Sequence, residues 1–140
     1  MASDPAHPSA ARVLFFLTAL GTAALDVVHV FVGGPRFVSE IFGSGDLLPT
    51  AQWMAYFVWH IVSVILALIA ITFAYIAIKY REVPHLKPLA CFATALLLGV
   101  AVLGLGLALI SDGALLATPA PYAFSVLGLL ALTGSVKMTV

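Results

Sequence analysis

Asp26, His29 and His60 are the residues of this chain whose types and spacing could do chemistry. Asp26 and His29 lie in the apolar run 13–32, and His60 interrupts a second apolar run, 53–78. On a helix, Thr18, Thr22, Asp26 and His29 follow steps of four, four and three, so they share one face. Gln52, Tyr56, His60 and Ser63 share a face in the same way. If the two runs are antiparallel neighbours, these polar stripes face each other. Counting inward from Gly33 and Gln52 at the helical rise, Asp26 lies about 10 Å deep and His60 about 12 Å, which makes them level. His29 lies about 6 Å deep by the same count, close to the depth of Tyr56.

Three chemistries suit such a set. In the first, Asp26 accepts a hydrogen bond from His60, with Tyr56, Ser63 and Thr22 in support, and the pair fixes the register of a helical hairpin. In the second, Asp26, His29 and His60 bind a metal, because two imidazoles and a carboxylate suit a first-row transition metal. Haem fits less readily. An iron between two imidazoles needs its ligand helices well apart, whereas antiparallel neighbours pack about 8–10 Å apart, so diagonal helices would have to supply the ligands. The third is a proton or ion path, for which intramembrane Asp and His are the expected residues. No acidic or basic side chain continues such a path through the other half of the bundle.

The elements that must position these residues are set by composition. With 63% hydrophobic and only 9% charged residues, the chain falls far outside soluble globular domains, in which about a quarter of residues are charged. Its mean hydropathy of +1.16 points the same way. The run 53–78 would be about 39 Å long as a helix, more than the roughly 30 Å hydrocarbon core requires, so it reads as a tilted transmembrane helix. Four spans are expected, at about 13–33, 52–79, 88–111 and 118–138.

Gly33-Gly34-Pro35 is expected to halt the first helix at the interface. The connection that follows carries Phe37, Val38, Ile41 and Phe42, the pattern of a short amphipathic segment in the first outer loop. Pro49-Thr50 opens the second span, and Ser111-Asp112-Gly113 ends the third. Gly99, Gly104, Gly106, Ala101 and Ala108 give the third span small surfaces for close helix approach. Trp53, Tyr56, Phe57 and Trp59 read as an outer aromatic belt, with Tyr75 and Tyr80 at the inner boundary.

Residues 1–11, with two prolines, Asp4 and His7, read as a short disordered tail, and His85 belongs to a polar turn. A signal peptide is the rival reading of the first run, but the apolar stretch continues past Gly21-Thr22-Ala23 and is preceded by a single arginine. Arg12, Lys79, Arg81, Lys87 and Lys137 fall on one side of the four spans and only Arg36 on the other. Both termini are therefore expected to be cytoplasmic, and the bias argues against a dual-topology dimer.

A formal net charge of zero and no basic patch exclude nucleic acid as a partner. Cys91 is the only cysteine, which rules out an internal disulfide and reads as a small core residue. No nucleophile–base set, phosphate loop or paired carboxylate is visible, so the balance leans against an enzyme.

The expected fold is thus all-α: an integral membrane bundle of four transmembrane helices, N-in and C-in, in the inner membrane of a bacterium. The expected function is that of an accessory or assembly subunit of a larger membrane complex, with the bilayer and a membrane protein or a second copy as partners. A metal- or haem-binding protein and a small proton- or ion-coupled transporter are the alternatives.

Overall fold

The computed structural model describes residues 9–79 and 84–138. His7 with most of the expected tail (1–8), and Tyr80 and Arg81 in the turn (80–83), lie outside the described residues. The first helix, α1 (Ala10–Val28), starts where Ser9 Oγ accepts the Arg12 backbone N–H at 3.3 Å. It begins ahead of Arg12, inside the stretch read as a tail.

Gly33-Gly34-Pro35 does not halt this helix. The chain passes through a π-helical turn, His29–Gly33, directly into α2 (Gly34–Gly43), so that Ala10–Gly43 is one continuous helical run. The physical reason is a change of register. The Gly34 N–H bonds to the His29 carbonyl, five residues back, and Pro35 then falls in the first turn of α2. A proline is tolerated there because the wider turn before it makes room for its ring, which a regular α-turn would press against the carbonyl four residues back.

Gln52 ties the following loop down, its Nε2 donating to the carbonyls of Ile41 (3.1 Å) and Ser44 (3.4 Å). Next comes α3 (Pro49–Lys79), then a short 3-10 turn (Pro84–Leu86) and α4 (Lys87–Ile110). The end of α4 uses left-handed backbone at Asp112 (φ 49°) and Gly113 (φ 82°). There the Gly113 N–H closes back on the Ala108 carbonyl at 2.9 Å. A second 3-10 turn (Ala114–Ala117) leads to α5 (Ala120–Lys137). Among the described residues all regular structure is helical, and four helices are long and apolar enough to cross a membrane: Ala10–Gly43, Pro49–Lys79, Lys87–Ile110 and Ala120–Lys137.

The helices pack in the order α3, α1, α5, α4, so that α1 is covered on two sides and α4 mainly on one. Although consecutive in sequence, α3 and α4 touch only sparsely. Alternating chain direction gives the bundle a near end, with the starts of α1 and α4 and the ends of α3 and α5, and a far end with the rest. The core lies toward the near end. There Phe15, fully buried, stacks on Phe73 with ring centroids 5.8 Å apart. A Cβ at Gly134 would lie 2.9 Å from Phe15 Cε1, so only glycine lets α5 approach this closely.

On the third span Ala101 and Ala108 are buried as expected, but its glycines are not the points of close approach. Gly99 and Gly106 face open space and Gly104 makes only ordinary contact with Pro121, while the tight positions are Gly21, Gly128 and Gly134 on α1 and α5. The hydroxyls of Thr94 and Ser135, 3.2 Å apart and buried, join α4 to α5. At the far end, α3 has no buried residue before Leu66 and α1 none after Thr22. The polar stripes enter this more open half.

Candidate functional site

On α1 the expected polar face is present. Thr18 and Thr22 are buried, but each spends its hydroxyl on its own helix: Thr18 Oγ1 donates to the Leu14 carbonyl at 2.9 Å and Thr22 Oγ1 to that of Thr18 at 2.8 Å. Thr22 therefore donates no hydrogen bond to Asp26. Asp26 is half-buried, and its Oδ1 is shielded from solvent with no hydrogen-bond partner among the described residues. One turn on, at the entrance to the π turn, His29 Nε2 lies 3.2 Å from the Trp59 carbonyl. A carbonyl can only accept, so this bond places a proton on Nε2.

On α3 the seam does not follow the expected residues. Gln52, Tyr56 and His60 recur every four positions, and each such step turns about 40° past a full rotation. The face that meets α1 alternates steps of three and four instead, through Trp59, Ser63, Leu66, Ala70, Phe73 and Ala77. Trp59 thereby takes the inward position, and His60, about 100° further round, is exposed. His60 rests against Tyr56, the rings edge-to-face at 4.5 Å. No hydrogen bond joins it to Asp26 Oδ1.

The centre of the site is Trp59. Its indole stacks on the His29 ring (centroids 3.9 Å apart, planes 13° apart) and on Phe37 (4.4 Å, 21°). Gly33 lies against the same indole, where a Cβ would meet Cζ2 at 3.0 Å and Cη2 at 3.1 Å. His29, Gly33 and Phe37 belong to or flank the π turn, which is thus shaped around one tryptophan of the neighbouring helix. A second aromatic group joins α2 to α3, with Phe42 edge-on to Trp53 (5.1 Å) and Tyr56 (6.0 Å). Ser63 Oγ adds a long 3.5 Å contact to the Trp59 carbonyl.

Trp59 and Tyr56 are consequently half-buried and make contacts between helices, while Trp53 and Phe57 remain exposed. The pairing of Trp59 with Gly33 and Phe37 was hidden in the sequence by the expected helix stop. Only the three–four alternation down to Phe73 and Ala77 could have singled out Trp59.

Asp26, His29 and His60 are not assembled as a ligand set. Among the described residues no group of three His, Cys, Asp or Glu is placed to hold a metal ion. His60 faces away from the seam, and a haem iron could claim His29 Nε2 only by displacing it from Trp59. The arrangement instead gives an aromatic clasp next to one buried carboxylate oxygen without a partner among the described residues. Comparison with protein families, curated proteins and solved structures finds no match for this chain.

Proposed function

We propose that this protein is an accessory or assembly subunit of a larger membrane complex, with a transmembrane helix of another membrane protein lying along α3 and α4. The observation that carries this reading is the seam between those two helices. They are consecutive in the chain, yet they leave an open groove of about 180 Å³ lined by apolar residues such as Leu68, Phe92 and Leu96, with Thr72 among them. Helix association in lipid is driven by van der Waals packing and interhelical hydrogen bonds, and this groove offers apolar walls and one hydroxyl. The chain crosses the membrane with both termini cytoplasmic, and α2 lies at the outer interface with Arg36 and Glu40 toward water. The location proposed is the inner membrane of a bacterium.

Copurification in a mild detergent tests the reading. Filling the seam with Leu68→Trp or Phe92→Trp is expected to release a stoichiometric partner while leaving helix content unchanged. A partner retained by both variants would show that the seam is not its seat.

A further inference from the structure

We propose that the groove between α1 and α3 at the near end of the bundle is a binding site for an anionic glycerophospholipid, with one acyl chain in the groove and the phosphate on Arg12. The groove, about 270 Å³, is lined by Val13, Phe16, Leu17, Ala77 and Ile78, and Arg12 is its one charged wall among the described residues. Arg12 stands in the first turn of α1, beside the last turn of α3. Leu17 lies about 7.5 Å deeper along α1, so the cavity runs from headgroup level into hydrocarbon. An apolar channel with one cation at its mouth matches a molecule with an acyl chain below and an anion above.

Charge complementarity selects the occupant. Every described carboxylate, Asp26, Glu40, Asp46 and Asp112, belongs to the far half of the bundle, so Arg12 meets none of them. Its guanidinium can hold a phosphate through two parallel hydrogen bonds, which a lysine ammonium cannot. Lys87, at the same end, is committed elsewhere, donating from Nζ to the Met138 carbonyl at 3.2 Å. A partner's transmembrane helix is a poorer occupant here. Helix ends on the positively charged side of a membrane carry lysine and arginine themselves, and these would oppose Arg12. The lipid site is independent of any partner lying along α3 and α4.

Native mass spectrometry of the full chain, released from detergent with phosphatidylglycerol or phosphatidylcholine of identical acyl chains, tests the proposal. The wild type is expected to retain phosphatidylglycerol about fivefold better, the scale of one basic residue acting near an anionic headgroup. Arg12→Gln should bring the two lipids to parity, and Arg12→Lys should keep part of the preference. Leu17→Trp fills the groove and should lower retention of both lipids. Val13→Trp fills it from a second exposed position, so misfolding of one variant does not decide the matter. A wild type without preference, a preference undiminished in Arg12→Gln, or full retention in both tryptophan variants would overturn the proposal.

Discussion

The imidazole of His29 lies almost parallel on the indole of Trp59, 3.9 Å between centroids, while its Nε2 reaches the Trp59 backbone carbonyl. One residue of α3 thus holds the π turn by its ring and by its main chain. Because both contacts cross between helices, they couple the path of the chain beyond Val28 to the position of α3.

Removing either ring should therefore cost more than its own packing. His29→Leu and Trp59→Leu are expected to show a coupling of about 0.5–1.5 kcal/mol in a double-mutant cycle, measured by reversible unfolding in mixed micelles. Additive effects would mean that the rings do not support each other.

Asp26 and His60 should behave as strangers. Asp26→Asn and His60→Gln are expected to add within about 0.5 kcal/mol, since His60 is exposed and Asp26 Oδ1 has no partner. Asp26→Leu should be neutral or stabilise by about 1 kcal/mol, because it removes a buried acceptor left unpaired. A stabilised variant would mark a carboxylate kept for work other than folding. Metal analysis of the purified protein addresses the third member of the set. One equivalent of metal, lost in His29→Gln, would contradict the placement of these side chains.

Much of this arrangement was open to sequence reasoning, for reasons particular residues make plain. Long apolar runs with few charges admit little besides spanning helices, and the Thr18, Thr22, Asp26, His29 face of α1 follows from helical spacing alone. What failed was the finer register. Pro35 carries a strong stop signal, but one wider turn before it makes room for its ring and the helix runs on. His60 drew attention as the ionisable residue of its run, yet a drift of about 40° per four residues carries it off the seam and brings in Trp59. The seam between α3 and α4 left no local signal, because the contacts of α1 and α5 decide which neighbours meet.

Gly134 should tolerate no side chain. Gly134→Ala places a methyl against the fully buried Phe15 ring and is expected to destabilise by about 1–3 kcal/mol in the same unfolding assay. Gly99→Ala, with nothing within 4 Å, should stay within about 0.5 kcal/mol of the wild type. Equal effects at the two sites would contradict the close contact of α5 with α1.

The proposed orientation rests on the basic residues toward the near end. A reporter active only in the cytoplasm should work when fused after Lys87 or Val140 and stay silent at Ser44. Activity at Ser44 would invert the bundle in the membrane.

Site-directed photo-crosslinking in native membranes tests the proposed subunit role most directly. Photoreactive residues at Leu68 and Phe92, on opposite walls of the seam, should both capture one and the same membrane protein, whereas one at Val136 on the exposed side of α5 should not. A product of twice the chain mass from both seam positions would instead place a second copy there. That result, or the same mixture of products from all three positions, would contradict a role as accessory subunit.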